Sequence, residues 1–202
     1  MCTCRFEDEA RTAGHLAVAG VDEVGRGALC GPVVAGAVVL DAEFDVTGLD
    51  DSKRLTPNQR ETLAQRIRAG ARGWATGLAG PEEIDRLNIL EATLLAMRRA
   101  VEGLLPPPDA LLVDALTIPA LDMPQKAIVK GDALSVSIAA ASIVAKVTRD
   151  ALMRDLDREY PGYGLAHNMG YASEDHRDAL RRRGPSLIHR RTFQGTQRWL
   201  FA

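Results

Sequence analysis

The chain has 202 residues, of which 46% are hydrophobic and 26% are charged, and its formal net charge is −2. These values are typical of a globular protein with one domain, and they exclude a disordered, collagen-like or coiled-coil chain. The small net charge hides an asymmetry, because residues 1–52 carry three arginines and ten acidic residues, whereas residues 177–202 carry seven arginines and one acidic residue. The sequence is therefore compatible with an acidic centre beside a basic surface.

Short apolar runs, bounded by turn residues, predict five strands. The first two strands are expected to form a hairpin around a glycine-rich turn at residues 25–27. The later strands are shorter, and each of the last two is followed by an acidic residue within a few positions. The predicted strands are residues 15–21, 32–40, 74–79, 110–113 and 127–129.

Capping residues and helical periodicity predict four helices. The first begins after the N-cap Thr56, which has a capping-box partner in Gln59, and the last begins after Ser173 and stops at Gly184. The third opens with small residues that allow a helix to pack closely against a sheet. The predicted helices are residues 57–70, 81–104, 135–158 and 174–183. Strands come first and then alternate with helices, a pattern typical of a mixed α/β sheet.

Four acidic residues follow or end predicted strands. Because strand ends of an open α/β sheet converge on one edge, we expect their carboxylates to meet there. Converging carboxylates raise one another's pKa unless a cation joins them, and an all-oxygen set suits Mg²⁺ or Mn²⁺ better than zinc. Two such ions act on phosphates, which predicts hydrolytic phosphoryl transfer. The alternative is that each acid only caps a loop or a helix. The four residues are Asp22, Glu23, Asp114 and Asp132.

The glycines beside the first two acids do not form a standard nucleotide-binding loop. Arg26 and Gly27 stand where a P-loop needs Lys and Ser or Thr, and the glycine spacing is one residue too long for a dinucleotide fingerprint. What remains is a turn at residues 25–27 where the backbone can approach a sugar or a phosphate closely. A plain hairpin turn is the alternative.

Cysteines, histidines and hydropathy predict a cytoplasmic protein without a membrane segment. Cys2, Cys4 and Cys30 are too few and odd in number for a disulfide scaffold, and no second Cys/His pair completes a zinc site with the first two. The four histidines have no metal-ligand spacing. No uncharged run reaches the roughly 18 apolar residues of a membrane helix, and the N-terminus lacks the features of a signal peptide.

Short segments along nearly the whole chain follow one another in a characteristic order. AGVDEVGRG at residues 19–27 is followed by GPVVA at 31–35, DSKRL at 51–55 and NILEAT at 88–93. Then come VD at 113–114, KGD at 130–132, ASIVAKVTRD at 141–150, YPGYG at 160–164, GY at 170–171 and HRR at 189–191. In residues and order these segments resemble the motifs of ribonuclease HII, the type 2 ribonuclease H family.

The resemblance implies a ribonuclease H-like fold, with a central mixed sheet flanked by helices and a small helical C-terminal part, at about residues 160–202, that contacts a nucleic-acid duplex. It implies an endonuclease that hydrolyses the RNA strand of RNA/DNA hybrids and cuts at single ribonucleotides in duplex DNA. The products would carry a 5′-phosphate and a 3′-hydroxyl, and the enzyme would serve ribonucleotide excision repair. Asp22, Glu23, Asp114 and Asp132 would hold two divalent ions.

The resemblance also implies nucleic-acid contacts. Gly25, Arg26 and Gly27 would sense the ribose 2′-hydroxyl, the group that distinguishes RNA from DNA, and Tyr171 would pack on the sugar just past the ribonucleotide. Phosphate contacts, which position a duplex without reading its sequence, are expected from Lys53, Lys146 and Asn88. Asn168-Met169 stands where the family often has His-Lys, which removes a positive charge near Tyr171.

The remaining expectations concern a C-terminal peptide, two alternative functions and the oligomeric state. Gln197–Phe201 resembles the short peptides by which bacterial repair proteins dock on the sliding clamp, although core packing explains its aromatic residues equally well. One rival is type 3 ribonuclease H, which usually has an extra N-terminal substrate-binding domain. The short segment before the first predicted strand disfavours this rival. The other is a non-catalytic hybrid-binding module, which would not need all four acids. We expect a monomer.

Overall fold

The computed structural model describes residues 2–197 and contains a five-stranded mixed sheet. The strands are β1 (Val18–Val24), β2 (Val33–Val39), β3 (Gly73–Ala79), β4 (Ala110–Asp114) and β5 (Gln125–Ile128), in the spatial order β3-β2-β1-β4-β5. The first three strands pair antiparallel, whereas β4 lies parallel to β1 and β5 lies parallel to β4. The predicted hairpin and the mixed sheet are confirmed.

Helices cover both faces of this sheet. They are α1 (Arg5–Thr12), α2 (Pro57–Gly70), α3 (Pro81–Leu87), α4 (Ile89–Glu102), α5 (Gly131–Leu134), α6 (Val136–Glu159), α7 (Leu165–Asn168), α8 (Glu174–Arg183) and α9 (Gln194–Gln197). Val39 packs into a core shared with α4, and its neighbour Val38 packs into a second core shared with α2 and α6. Because successive residues of a strand point to opposite faces, β2 is buried on both sides. Among the described residues, no helix combines the length and apolar character needed to cross a membrane.

Two glycines let α6 lie close to the sheet. A Cβ on Gly36 would lie 2.4 Å from the carbonyl oxygen of Ala141, and a Cβ on Gly20 would lie 2.1 Å from the carbonyl carbon of Ser137. The predicted close packing of this small-residue helix is confirmed. The short distance places Ser142 of α6 close enough to Asp22 on β1 for its hydroxyl to favour the charged carboxylate.

The prediction of one continuous helix over residues 81–104 is wrong, because the helix is interrupted at Asn88. Asn88 separates α3 from α4 and has a φ of 73°, a left-handed conformation that no helix interior contains. Its side-chain oxygen accepts hydrogen bonds from the backbone N–H groups of Leu90 (2.9 Å) and Glu91 (3.2 Å). The Asn88 side chain thus caps a new helix, and the first helix ends there.

Helix α1 was not among the predicted elements. Its buried residue Glu7 accepts hydrogen bonds from the Ser135 hydroxyl (2.5 Å), the Ser137 hydroxyl (2.6 Å) and the Ser137 backbone N–H (3.0 Å). These contacts span more than 120 residues of sequence. They fix α1 against the start of α6, the helix that contributes Ser142 to the predicted site.

The small helical C-terminal part packs on the connection between β1 and β2. Leu29 and Cys30 of this connection share an apolar cluster with three residues: Met153 of α6, Tyr163 before α7, and Leu180 of α8. The backbone N–H of Leu29 donates to the carbonyl of Gly170 at 2.8 Å. The C-terminal helices therefore support the loop that follows the first two predicted acids.

Candidate active site

Three of the four predicted acidic residues meet at one edge of the sheet. Asp22 and Glu23 lie near the end of β1, and Asp114 is the last residue of β4. The two strands are parallel, with Val21 paired to Val113, so the acids that follow lie side by side. One carboxylate oxygen from each of the three lies within 4.8 Å of the others.

The environment of these carboxylates disfavours their negative charge. Burial, followed by the charge of Glu23, raises the pKa of Asp22 well above its usual range, against a hydrogen bond from Ser142. Burial and the charge of Asp114 raise the pKa of Glu23, although Arg26 opposes the shift. The pKa of Asp114 is raised by burial and by the charge of Asp132, against a hydrogen bond from the Gly131 backbone N–H. The cluster lacks positive charge for the number of acids it holds.

The cluster fits a divalent cation. One buried oxygen of Glu23, Oε2, has no hydrogen-bond partner among the described residues. A buried carboxylate oxygen normally has a partner, so a cation bound there would satisfy an otherwise costly atom. The donor set contains only carboxylate oxygens, which favours hard ions such as Mg²⁺ or Mn²⁺.

Asp132 lies beside this cluster but outside the group of three. It is buried at the start of α5, and its Oδ2 accepts a hydrogen bond from Lys53 Nζ at 3.1 Å. The preceding residue, Gly131, donates its backbone N–H to Asp114 Oδ1 at 2.7 Å. The short helix α5 is thereby fixed to the end of β4, with the Asp132 charge near Asp114.

A cavity of about 320 Å³ connects the acids to several predicted binding residues. Its wall includes Asp22, Glu23, Lys53, Lys146 and Tyr171. The ammonium of Lys53 is paired with Asp132, and that of Lys146 is paired with Asp150 at 2.7 Å. The Tyr171 side chain is partly exposed, and the guanidinium of Arg149 lies 5.4 Å from the centre of its ring.

The turn at residues 25–27 is packed against Arg149 at Gly25 and has an open side at Gly27. Gly25 has a φ of 95°, and a Cβ on it would lie 2.2 Å from Arg149 Nε, so a side chain is excluded there. The Arg26 guanidinium lies 3.4 Å from Glu23 Oε1. A Cβ on Gly27 would have no atom within 4 Å among the described residues. A ligand can therefore approach the backbone of this turn at Gly27.

Two buried arginines support this loop, a role that no pattern of residue type or spacing indicated. Arg190 donates to the carbonyls of Gly25 (2.8 Å), Arg26 (2.8 Å) and Gly31 (3.0 and 3.1 Å). Arg149 donates to the carbonyls of Pro32 (3.1 Å) and Met169 (2.9 Å). Both side chains are fully buried.

The burial of Arg190 shows that not every arginine of residues 177–202 contributes to the basic surface that the charge count suggested. Arg190 holds a loop inside the protein, whereas Arg181, Arg182 and Arg183 in the last turn of α8 are exposed. Sequence alone does not separate a buried arginine from an exposed one, because both contribute the same charge to the count. The exposed part of the basic segment is thus centred on α8.

Of two further predicted contacts, one does not line the cavity, and the other lies almost entirely outside the described residues. Asn88 does not line the cavity, and its side-chain oxygen is used to cap α4. The clamp-like segment at residues 197–201 lies outside the described residues except for Gln197.

The chain matches known proteins over nearly its whole length. The family model described as Ribonuclease HII matches residues 19–196. A ribonuclease HII of Desulfitobacterium hafniense is 57% identical over 196 residues, which cover 97% of this chain and 75% of that protein. A ribonuclease HII of Myxococcus xanthus is 58% identical over 190 residues, which cover 94% of this chain and 65% of that protein.

Solved structures support the same assignment. Ribonuclease H2 from Pyrococcus horikoshii OT3 superposes with a TM-score of 0.75 at 32% identity, covering 90% of this chain and 95% of that one. This likeness confirms the ribonuclease H-like fold, and the family match favours the type 2 over the type 3 enzyme. From its sequence and fold, this chain belongs to the ribonuclease HII family of metal-dependent endonucleases.

Proposed function

We propose that this ribonuclease H hydrolyses the RNA strand of RNA/DNA hybrids and cuts at single ribonucleotides in duplex DNA, in the service of ribonucleotide excision repair. The observation that carries the proposal is the convergence of three carboxylates with raised pKa values, two of which, Asp22 and Glu23, line the cavity. The same cavity reaches two lysines and a partly exposed tyrosine, which suit phosphates and a sugar ring. The products would carry a 5′-phosphate and a 3′-hydroxyl.

The side chains that would hold two divalent ions are Asp22, Glu23, Asp114 and Asp132. When bound, the ions would stabilise the attacking and leaving oxygens of an in-line displacement at phosphorus. Ser142, whose hydroxyl lowers the pKa of Asp22 and lies 2.9 Å from the Ser52 hydroxyl, would help to orient the first of these carboxylates. This orientation is set by β1 and α6, before any substrate arrives.

Lys53 and Lys146 would exchange their carboxylate partners for phosphates of the bound duplex. The Lys53 side chain is 78% exposed although its partner Asp132 is only 9% exposed. An exposed ammonium on a flexible stem can move from a buried carboxylate to a phosphate at little cost. The move would also free Asp132 to join the other acids. Asn88 remains the weakest contact of the set, since its oxygen already caps a helix.

The turn at residues 25–27 would recognise the ribose 2′-hydroxyl through its backbone. The carbonyls of Gly25 and Arg26 are already fixed by Arg190, so the turn is rigid before a substrate binds. The open side at Gly27 leaves room for a sugar. Rigid backbone groups beside a catalytic site discriminate a hydroxyl well, because they lose little entropy on binding.

Tyr171→Ala is expected to weaken cleavage at a single ribonucleotide more than cleavage of a long RNA stretch. Stacking against an aromatic ring contributes about 1–3 kcal/mol, so the ratio of the two rates should fall about tenfold. Tyr171→Phe keeps the ring and is the matched control, with a ratio close to that of the wild type. Equal losses on both substrates in Tyr171→Ala would remove the proposed role at the junction.

The test of the function as a whole is cleavage of a DNA duplex that contains one ribonucleotide. We expect cutting with Mg²⁺ or Mn²⁺, none with EDTA, and mapped product ends that carry a 5′-phosphate and a 3′-hydroxyl. Cutting only within runs of ribonucleotides would instead indicate a type 3 activity. Binding without cutting would indicate a hybrid-binding module.

We extend the proposal to a sliding-clamp contact through residues 197–201. A structure described as the PCNA:RNase HII complex from Archaeoglobus fulgidus superposes on this chain with a TM-score of 0.72 at 28% identity, which supports a clamp as partner. Deleting residues 197–202 should abolish binding to the bacterial clamp and leave cleavage of a short hybrid unchanged. Clamp binding that survives the deletion would exclude this segment as the contact.

A further inference from the structure

Three buried groups outside the acidic cluster lie close together. The donor atoms of Cys30, His176 and His189 all lie within 4.8 Å of one another. Cys30 belongs to the loop between β1 and β2, His176 to the first half of α8, and His189 to the segment that follows α8. The group therefore lies where the C-terminal part contacts the loop that carries the glycine-rich turn.

The hydrogen bonds of the two histidines have a defined direction. The backbone N–H of Ser186, which can only donate, is directed at His189 Nδ1 at 3.0 Å. The Ser186 hydroxyl, which can donate as well as accept, lies 2.9 Å from the same nitrogen. Because a protonated Nδ1 would face the Ser186 N–H, we assign Nδ1 as an acceptor and the proton of this neutral ring to Nε2. His189 Nε2 lies 3.1 Å from His176 Nε2, so His189 donates and His176 accepts. The proton of His176 then lies on Nδ1, which donates to the carbonyl oxygen of Tyr171 at 2.9 Å.

Both histidines lie in surroundings that keep them neutral. Burial lowers the pKa of His176, and burial together with the neighbouring His176 lowers the pKa of His189 to about 4. The ring of Tyr163 packs against both, with its centre 4.8 Å from that of His189 and 6.3 Å from that of His176. A neutral imidazole has one donor and one acceptor, so the chain of hydrogen bonds has a single arrangement of protons.

This arrangement argues against a metal ion bound by the three groups. A metal would need the lone pairs of both Nε2 atoms and a thiolate. His189 Nε2 instead carries a proton, and burial raises the pKa of the Cys30 thiol to about 12. The two nitrogens that face each other at 3.1 Å already satisfy one another.

We propose that His176 and His189 are positioning residues that hold the backbone of Tyr171 in place for its contact with the nucleic acid. The inference rests on the role given to Tyr171 in the proposed function. The carbonyl of Tyr171 accepts from His176 and from the backbone N–H of Ser173 at 2.8 Å, and Arg149 holds the carbonyl of Met169, two residues earlier. The partly exposed ring thus projects into the cavity from a backbone that is fixed on both sides.

The proton arrangement is tested without any activity measurement. Two-bond ¹⁵N–¹H correlation spectra of the protein at neutral pH distinguish the two neutral tautomers of each histidine. We expect the Nδ1–H tautomer for His176 and the Nε2–H tautomer for His189. The opposite tautomers, or a charged ring at either position, would overturn the inference.

Two substitutions of His176 test its hydrogen bonds to Tyr171 and to His189 separately. Asn places an amide N–H near the position of Nδ1 and keeps the donor to Tyr171, whereas Gln places its amide near Nε2 and keeps only the contact to His189. The ratio of cleavage at a single ribonucleotide to cleavage of a long RNA stretch should fall about three- to tenfold in His176→Gln, the effect of one lost hydrogen bond. His176→Asn should retain most of the wild-type ratio, even though both variants lose thermal stability.

Exposed His167 supplies the control, since His167→Gln makes the same chemical change on the neighbouring helix α7. Equal ratios in His176→Gln and His176→Asn would overturn the positioning role, because a purely structural loss would affect both alike. If Tyr171→Ala itself leaves the ratio unchanged, the role of the tyrosine in the proposed function fails, and the positioning role falls with it. The Tyr171→Ala result therefore shows whether the role of Tyr171 in the proposed function has failed or only the positioning role of the histidines.

Discussion

Asp114→Asn is expected to lower the rate of cleavage by at least about a thousandfold in Mg²⁺. Asp114 shares the cluster with Asp22 and Glu23, and the amide that replaces it binds a divalent cation much more weakly than a carboxylate. A loss of roughly 4 kcal/mol of transition-state stabilisation corresponds to three powers of ten in rate. The measurement is single-turnover cleavage of a duplex with one ribonucleotide.

The fold should survive this substitution. Asparagine keeps an oxygen that can accept from the Gly131 backbone N–H, and it removes a negative charge that the cluster disfavours. Thermal stability and binding of the hybrid should therefore stay close to those of the wild type. Asp122→Asn, an exposed change in the connection between β4 and β5, is the matched control and should keep full activity. Wild-type rates in Asp114→Asn would contradict the assignment of the acidic cluster.

Arg190→Lys is expected to lower the free energy of unfolding by about 3 kcal/mol and to reduce cleavage as well. The guanidinium donates four hydrogen bonds to the carbonyls of Gly25, Arg26 and Gly31. A lysine ammonium lacks the planar fork and cannot satisfy the three carbonyls together, and each buried acceptor left unpaired costs about 1–3 kcal/mol. For a protein of this size the melting temperature should fall by about 2–4 °C for each kcal/mol.

Arg191→Lys is the control for this prediction because it makes the same change at the next residue, whose side chain is exposed. Its melting temperature should differ little from that of the wild type. If Arg190→Lys melts at the wild-type temperature, the loop does not depend on this arginine. If it melts lower but cleaves at the wild-type rate, the rigidity of the turn at residues 25–27 does not contribute to catalysis.

Local sequence signals predicted most of the sheet and the helices well. Thr56 and Gln59 form the predicted capping box, and Ser173 caps α8 as expected. The signals failed where a side chain acted against the periodicity around it. Apolar spacing continues through Asn88, but the side chain of that residue caps a new helix. Helix α1 was missed because its position depends on Glu7 and two serines far along the chain.

The sequence predicted the kind of site, a cluster of carboxylates at one edge of the sheet, but only part of its geometry. Acids after parallel strands indicated that Asp22, Glu23 and Asp114 would meet, and they do. The pairing of Asp132 with Lys53 could not be predicted, because the path of the chain between β5 and α6 sets the distance between them. The buried arginines and the histidine pair were missed for a related reason. Their partners are backbone carbonyls or distant side chains, which leave no pattern in residue type or spacing.

The most direct test of cation binding by the acidic cluster is anomalous X-ray diffraction from crystals soaked in Mn²⁺. We expect an anomalous peak between the carboxylates of Asp22, Glu23 and Asp114, and its loss in the Asp114→Asn variant. The absence of a peak at these carboxylates, or a peak only at Cys30, His176 and His189, would contradict the proposed catalytic site.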